Sequence, residues 1–183
     1  TLYCIEKKLL YQTAAYHNAL FVGYDKEGTP RYGALRATRS PYKGDLTGSN
    51  KHFSFSMNEN PAPDHIHVFE SAIDAMSYAT MLLLNGKEWK KETFLSLAGV
   101  YKTKREKVVP VALERYLKDY PSIKTVHLHL DNDGIGRGAV AGIVSGLQEK
   151  YTVLDEPPLH GKDVNDELKI RVGIMREREE IER

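Results

Sequence analysis

The chain has 183 residues, a formal net charge of +1 and a single cysteine, a length that favours one domain with a smaller lobe. One cysteine excludes an internal disulfide and a cysteine-based zinc site within the chain, and fits a reducing cytoplasm. No apolar run approaches the roughly 20 residues of a membrane span and no segment resembles a signal peptide, so we expect a cytoplasmic protein without a membrane partner. Because the sequence opens on Thr1, we expect it to be part of a longer protein.

The first 62 residues predict a small β-rich lobe with a basic surface. Its predicted elements are a helix or extended arm (1–18), a strand (19–24), a turn (25–28), a returning strand (31–37), a loop (40–50) and a third strand (51–57). Basic side chains outnumber acidic ones between residues 28 and 52, and aromatic residues are interleaved with them. This combination suits single-stranded nucleic acid, although a solvated lobe with an aromatic core is the simpler interpretation of composition alone.

A break at residues 60–64 separates this lobe from a region in which strands and helices alternate, which we predict to be a second domain over residues 63–183. The predicted elements are strands at 66–70, 93–98, 123–131 and 151–154, helices at 71–86, 108–120, 138–150 and 171–183, and a polar loop at 161–167. Such alternation predicts an α/β fold with a parallel sheet of about four strands, flanked by helices and joined by right-handed crossovers.

Acidic residues follow the strands of this second region. Asp131 and Asp133 end one strand, with carboxylates about 6.5–7 Å apart on the same side. Glu70 ends an earlier strand, and Asp163 and Asp166 follow a later one. The carboxyl ends of parallel strands lie at one edge of a sheet, so these acids should converge on one cleft. Like charges so placed repel unless a cation or a proton lies between them, and a hard ion such as Mg²⁺ fits oxygen ligands.

These residues belong to segments that resemble the successive motifs of the Toprim domain, the catalytic fold of bacterial primases, some topoisomerases and some nucleases. The segments are Phe69-Glu70-Ser71-Ala72-Ile73-Asp74-Ala75, Ser96-Leu97-Ala98-Gly99, Leu130-Asp131-Asn132-Asp133-Gly134 and Gly161-Lys162-Asp163-Val164-Asn165-Asp166-Glu167. The resemblance covers about residues 65–170. The N-terminal hairpin, followed by Lys51-His52-Phe53, resembles the basic lobe ahead of Toprim in primase-like proteins of plasmids and mobile elements.

The resemblance implies Mg²⁺-dependent phosphoryl transfer on nucleic acid, with Mn²⁺ as a substitute ion. It implies that Glu70 is a general acid/base or metal ligand, that Asp131 and Asp133 are catalytic metal ligands, and that Asp163 and Asp166 serve a second metal position. The residues expected to bind nucleic acid are Arg36, Arg39, Lys43, Lys51, Arg137 and Lys162. The implied partners are a single-stranded DNA template, nucleoside triphosphates, a helicase and an upstream zinc-binding segment in the full-length protein.

Two departures from the primase pattern keep three functions open. Ser71 stands where the primase motif usually has glycine, and Gly134-Ile135-Gly136 stands where it has basic residues. The first candidate is therefore a primase-like nucleotidyltransferase, and the alternatives are a nuclease and a non-catalytic DNA-binding module. Ser71 itself is best interpreted as a helix cap. Asp74, one turn into the same helix, either supports the site or is a solvated helical acid.

Two rival sites can be read from the same region. The segment 134–139 fits the G-x-G-x-x-A dinucleotide fingerprint, with Asp155 near the position of the ribose-binding acid. However, Asp131 and Asp133 would then face a pyrophosphate with no cation between them, so the metal interpretation is favoured. Histidines alternate along two strands at positions that could suggest zinc, but a structural role is the simpler interpretation. They are His65, His67, His127 and His129.

Overall fold

The computed structural model describes residues 1–57, 60–100 and 108–176. Within these ranges a four-stranded antiparallel sheet precedes a five-stranded, mostly parallel sheet flanked by helices. The predicted α/β fold with a preceding β-rich lobe is confirmed. The second sheet has five strands, where about four were predicted, because a short antiparallel strand is added at one edge.

The N-terminal lobe is built on a twisted antiparallel sheet. It comprises α1 (Leu2–Glu6), β1 (Leu10–Gln12), β2 (Ala19–Tyr24), β3 (Pro30–Arg36) and β4 (Lys43–Asp45), with the strands in the order β1-β2-β3-β4. The first 18 residues thus supply both a short helix and an edge strand. The loop predicted at 40–50 is wrong in part, because residues 43–45 pair with the end of β3.

The third strand predicted for this lobe, at residues 51–57, is wrong in part, because only its last two residues form a strand. Residues Lys51–Phe53 form a 3₁₀ turn, capped by the Asn50 side chain, which accepts a hydrogen bond from the His52 amide. The strand that follows, β5 (Ser56–Met57), pairs with the second sheet. The turn crosses close to β2, since a Cβ added at Gly23 would lie 1.8 Å from the Phe53 carbonyl oxygen. Glycine at that position therefore allows the chain to leave the first sheet and join the second.

The second sheet has the strand order β5-β7-β6-β8-β9, and β7, β6, β8 and β9 are parallel. Its remaining elements are β6 (His65–Phe69), α2 (Ala72–Leu84), β7 (Phe94–Ser96), α3 (Val111–Asp119), β8 (Thr125–His129), α4 (Gly134–Leu147), β9 (Thr152–Asp155) and α5 (Val164–Arg171). Both faces are covered. One face of β6 and β8 packs in a core with α3 and α4, and on the other face Phe69 of β6 packs in a core with α2 and the N-terminal lobe.

Three predictions for the C-terminal part of the chain need correction. Helix α4 begins at Gly134, earlier than the predicted residue 138, because the Asp133 side chain caps it. Part of the predicted polar loop forms α5, which Asp163 caps. The charged helix predicted from residue 171 does not form over 172–176, where the amides of Gly173 and Ile174 fold back onto the last turn of α5. Its remainder, 177–183, lies outside the described residues.

The two sheets share a hydrophobic core in the described part of the chain. Phe21 of β2 packs edge-on against Phe55, with ring centroids 5.8 Å apart, and both belong to the cluster that includes Phe69 of β6. The domain boundary at residues 62/63 stays a prediction. Among the described residues, none of the helices combines the length and the hydrophobicity that crossing a membrane requires.

Candidate metal and nucleic-acid site

Two acidic residues meet at the carboxyl ends of the central strands. β6 and β8 are neighbours in register, with Phe69 opposite His129, so Glu70 and Asp131 emerge from the same edge. The Asp131 amide donates a hydrogen bond to Glu70 Oε1 at 3.3 Å. The start of α4 closes over this pair, because a Cβ at Gly136 would lie 2.1 Å from the Asp131 carbonyl oxygen and 2.9 Å from Glu70 Oε1. Glycine is thus the residue that lets the helix approach the acids.

One carboxylate oxygen of Asp133 caps α4, and the other faces Lys162. Its Oδ1 accepts hydrogen bonds from the amides of Ile135 and Gly136, both at 2.9 Å. These bonds, that from Gly136 first, lower the pKa of Asp133. Its Oδ2 points to Lys162. The same capping argues against the dinucleotide interpretation, because the first amides of α4 are already bound to a carboxylate. Asp155, the acid proposed for the ribose, forms an ion pair with Arg137.

Lys162 lies between the two strand-end aspartates. Its Nζ is 3.0 Å from Asp131 Oδ2 and 3.2 Å from Asp133 Oδ2. These two contacts raise the pKa of Lys162, so the ammonium stays charged. The ammonium balances the repulsion that the sequence pattern predicts for the two acids. A position that attracts one cation between carboxylate oxygens fits a divalent metal, and Lys162 would have to move aside for it.

Burial changes the chemistry of Glu70. Its carboxyl group is half-buried, and burial together with the charges of Asp131 and then Asp133 raises its pKa to about 7. A carboxyl group with a pKa near neutrality exchanges a proton readily under physiological conditions, which is the property of a general acid/base. A metal ion bound between the acids would favour the charged form instead. Glu70 therefore suits either of the roles that the resemblance implies.

Asp163 and Asp166 differ in their surroundings. Asp163 caps α5, since its Oδ1 accepts the Asp166 amide at 2.7 Å, and burial raises its pKa. The charge of Asp131 contributes to that increase, which places Asp163 within electrostatic reach of the strand-end pair. Asp166, by contrast, forms an ion pair with Lys169 one turn along its own helix, at 2.9 Å. Asp163 therefore lies near the acidic site, whereas Asp166 is paired with a lysine of its own helix, α5.

Asp74 is a buried member of the same acidic group, with 6% of its surface exposed, and it is not a solvated helical acid. Its Oδ2 accepts the Ser71 hydroxyl at 2.6 Å, and its Oδ1 accepts the Asn165 amide at 3.3 Å. Burial, with the charges of Asp163 and Asp131, raises its pKa to about 6. Ser71 caps α2 as predicted, because its Oγ accepts the Asp74 amide. In the sequence, the position of Asp74 one turn into the helix that follows Glu70 indicated that it could support the site.

The basic residues of the N-terminal lobe lie at the β3–β4 connection and in the turn that follows β4. Arg36 and Lys43 are paired across β3 and β4, and Arg39 is exposed in the connection between them. Lys51 reaches the second sheet, where its Nζ donates to the Ala98 carbonyl oxygen at 3.1 Å, just beyond β7. Arg36 also lines a small cavity with Ser71, which follows Glu70. These contacts connect the basic surface to the edge that carries the acids.

Arg137, another residue predicted to bind nucleic acid, has a different environment. Arg137 forms a two-pronged ion pair with Asp155, at 2.8 and 2.9 Å, and donates to the Leu130 carbonyl oxygen at 2.9 Å. It therefore braces the strand end that precedes Asp131.

The aromatic residues of the lobe divide between two environments. Phe21, Tyr32 and Phe55 are buried in the core, whereas Tyr16 and Tyr42 are 79% and 55% exposed.

Family comparisons agree with this geometry. A family model described as Toprim-like matches residues 67–168, and one described as a protein of unknown function (DUF3991) matches residues 2–61. The resemblance to Toprim is thus confirmed. A curated relative, the 65 kDa protein of Zymomonas mobilis, is 30% identical over 170 residues. That match covers 87% of this chain but only 28% of the length of the relative.

Solved structures that match this fold include primases. The primase fragment of the bacteriophage T7 primase-helicase protein matches with a TM-score of 0.60 at 14% identity, over 93% of this chain and 64% of that fragment. A DNA primase domain from Pseudomonas aeruginosa matches with a TM-score of 0.53 at 15% identity, over 92% of this chain and 54% of that domain. At these identities the likeness concerns the fold.

Proposed function

Because the chain belongs to the Toprim-like family, we propose that it performs Mg²⁺-dependent phosphoryl transfer on nucleic acid, as the core of a primase-like nucleotidyltransferase. The observation that supports this proposal best is the convergence of Glu70, Asp131 and Asp133 at one sheet edge, where the Lys162 ammonium lies between the two aspartates. Acids that already gather around a cation fit a metal site better than a site for an anionic cofactor.

Glu70, Asp131 and Asp133 would hold Mg²⁺ or Mn²⁺, and Asp163 would serve a second position, with Asp166 available only if its pair with Lys169 opens. The bound ion would supply positive charge beside the oxygens that become negative during phosphoryl transfer. The remaining roles belong to side chains of this protein. If Glu70 is instead left free by the metal, its pKa near neutrality suits it to accept the proton of the attacking hydroxyl group. Lys162, once displaced, could contact a phosphate oxygen.

The basic lobe would bind the template strand. Arg36, Arg39 and Lys43 form one outer surface of that lobe, and Lys51 extends it to the edge of the catalytic sheet. Lysine and arginine at such positions bind phosphates without regard to sequence. Exposed Tyr16 and Tyr42 can stack against bases. Arg137 would act indirectly, by fixing the backbone before Asp131.

The partners follow from the same proposal. They are a single-stranded DNA template and nucleoside triphosphates, with a helicase and an upstream zinc-binding segment in the longer protein. The T7 neighbour is a primase-helicase, and a structure of the Aquifex aeolicus primase contains zinc-binding and RNA polymerase domains. We further propose that the full protein acts in the cytoplasm and is encoded on a mobile element.

Primer synthesis by the purified chain tests this function directly. Labelled nucleoside triphosphates are incubated with single-stranded DNA and Mg²⁺ or Mn²⁺, and the products are separated on a denaturing gel. We expect short oligonucleotides whose yield falls by at least about 100-fold in Glu70→Gln and in Asp131→Asn. Glu27→Gln, in the exposed β2–β3 turn, serves as the control and should leave the yield unchanged.

The same reactions separate the alternatives. Metal-dependent shortening of labelled DNA, lost in Glu70→Gln, would indicate a nuclease on the same site. Binding of DNA that survives both Glu70→Gln and chelation, with no product of either kind, would indicate a non-catalytic module. Synthesis that continues undiminished in Glu70→Gln would refute the site proposed here.

A further inference from the structure

Four histidines share one face of the two central strands of the parallel sheet. His65 and His67 lie on β6 and His127 and His129 on β8, with His67 directly opposite His127. Parallel strands of this kind usually carry apolar side chains on both faces. Here the imidazole rings stack on one another, with 4.6 Å between the centroids of His67 and His127, and Glu92 and Glu156 reach them from the neighbouring segments.

The hydrogen bonds of this face fix which nitrogen of His67 carries hydrogen. His129 Nδ1 lies 3.0 Å from the Glu156 carbonyl oxygen, which can only accept, so that nitrogen must donate. In a neutral His129 ring the other nitrogen, Nε2, is then an acceptor. His67 Nδ1, 2.8 Å away, must therefore be the donor to that Nε2. A neutral His67 with its hydrogen on Nδ1 has a lone pair on Nε2.

This lone pair faces a carboxylate. His67 Nε2 is 3.3 Å from Glu92 Oε2. A neutral imidazole with its hydrogen on Nδ1 cannot donate a hydrogen bond to that oxygen. Two electron-rich atoms at this distance repel unless a positive charge lies between them. The chain of hydrogen bonds from the Glu156 carbonyl thus leaves a position for a cation next to His67 Nε2.

His65 completes the same position. Its Nε2 is 2.5 Å from Glu92 Oε2, the oxygen that also faces His67. Its Nδ1 is 2.6 Å from Asp64 Oδ1, so the outer nitrogen is held by a carboxylate. A histidine that ligates a metal commonly donates its second ring N–H to a carboxylate or a similar acceptor. Both His65 and His67 have this arrangement, with Nε2 directed inwards and Nδ1 held from outside.

We propose that His65 Nε2, His67 Nε2 and Glu92 Oε2 bind a divalent transition-metal ion, Zn²⁺ or an ion of similar preference, at a site separate from the acidic edge. The three ligand atoms already lie within 4.8 Å of one another. In a tetrahedral zinc site with bonds near 2.1 Å, neighbouring ligand atoms are roughly 3.4 Å apart, so the His65–Glu92 contact must widen by about 1 Å. Two imidazoles and a carboxylate leave the fourth position open to water.

The ligand types and the location distinguish this site from the Mg²⁺ site. Imidazole nitrogen favours zinc and related ions, whereas the acidic edge offers oxygen alone. His65 begins β6 and Glu70 follows its end, about five residues or roughly 16 Å along the strand. The side chains of His65 and Glu92 are 30% and 28% exposed, so an ion can enter from solvent. The bound ion would tie β6 to the segment that precedes β7.

A second grouping on this face, His67, His129 and Glu156, fits a metal less well. There His67 would have to bind through Nδ1 and His129 through Nε2, the two atoms that hydrogen-bond to each other. Glu156 Oε2 is also 3.1 Å from His127 Nδ1 and thus has another partner. In the first grouping both imidazole nitrogens face the same carboxylate oxygen, Glu92 Oε2, and neither bonds to the other imidazole.

Zinc binding by the whole chain, freed of metal by chelation, tests the proposal. Zn²⁺ alone is titrated in millimolar Mg²⁺ against a chromophoric chelator, and Co²⁺ absorption reports the ligand environment. We expect one ion per chain at this site, a higher melting temperature, and an affinity that falls by more than about 10-fold in His65→Asn and Glu92→Gln. Asp64→Asn, at an exposed residue that only orients His65, should weaken binding by about 10-fold or more without a folding defect.

Matched controls lie on the same face and at the acidic edge. His127→Asn, Glu156→Gln and Asp131→Asn should each keep the zinc affinity of the parent chain within about 2-fold, because none of them removes a ligand. The proposal is overturned if the parent chain binds no Zn²⁺, if His65→Asn and Glu92→Gln bind it as well as the parent, or if Glu156→Gln abolishes binding. It does not depend on the proposed function, which the primer-synthesis assay tests at other residues.

Discussion

Glu70→Gln removes a carboxyl group that the fold makes costly to ionise. Burial and the neighbouring aspartates raise the pKa of Glu70 from its ordinary 4.5 to about 7. The folded chain therefore holds a proton that the unfolded chain releases between these two pH values, and the free energy of unfolding falls as the pH rises through this interval. Glutamine keeps an oxygen to accept the Asp131 amide but cannot ionise, so the variant should lack this pH dependence.

The size of the effect follows from the change in pKa. Each unit corresponds to about 1.4 kcal/mol, and solvent screening of a half-buried group reduces the total to about 1–2 kcal/mol. Without metal at pH 8, Glu70→Gln should therefore be more stable than the parent by that amount. For a chain of this length the melting temperature should increase by about 2–8 °C. Below pH 4.5, where Glu70 is protonated in both states, the two proteins should be equally stable.

Urea unfolding at a series of pH values, in the presence of a chelator, measures this directly. Glu27→Gln is the matched control and should follow the parent curve, because its side chain is exposed in a turn. Added Mg²⁺ should stabilise the parent more than Glu70→Gln, since the variant lacks one proposed ligand. A Glu70→Gln protein that is less stable than the parent at pH 8, with an unchanged pH profile, would refute the electrostatic description of the site.

Three further changes test neighbouring parts of the structure. Lys162→Met removes the ammonium between the strand-end aspartates, so the free energy of unfolding of the metal-free chain should fall by about 0.5–1 kcal/mol. In a thermal-shift titration the variant should be saturated at a lower Mg²⁺ concentration than the parent. A higher requirement for Mg²⁺ would contradict this. Gly136→Ala forces a Cβ against backbone and should cost about 1–3 kcal/mol in urea unfolding. Gly138→Ala, which meets no atom within 4 Å, should instead stabilise by about 0.5–1 kcal/mol, and equal effects would argue against the close approach of α4. Arg39→Ala should reduce the salt dependence of single-stranded DNA binding, lowering the slope of log K against log salt by about 0.7, whereas Lys118→Ala on α3 should leave it unchanged.

The sequence predicted the main features of the acidic site because they depend on local order. An apolar run that ends in Asp131 and Asp133 indicates a strand with a polar carboxyl end, and Glu70 ends an earlier run in the same way. The edge rule for parallel sheets then brings these side chains together without any knowledge of the strand order. The helix caps were equally local, since Ser71 stands immediately before the apolar period of α2.

Other features depend on contacts between distant segments. β5 was assigned to the wrong sheet because a two-residue strand has no pattern of its own. Its place is set by the Ser96 amide, which donates to the Phe55 carbonyl oxygen at 2.9 Å, and by the Ser54 hydroxyl, which donates to the Ser96 carbonyl. Asp74 could not be distinguished from a solvated acid, because its burial depends on α5 packing against α2 and supplying the Asn165 amide.

The fold class, the strands that carry the acids and the meeting of those acids at one edge follow from local sequence patterns. Hydrophobic periodicity and the residues at strand ends are local features of the sequence, and a parallel sheet places the carboxyl ends of its strands at one edge. The protonation of the site residues and their hydrogen-bond and ion-pair partners depend on the folded structure. It set the pKa of Glu70, the position of Lys162, and the hydrogen-bond chain that directs His67 Nε2 towards Glu92. Desolvation and hydrogen-bond direction depend on every neighbour in space, and a linear pattern does not contain that information.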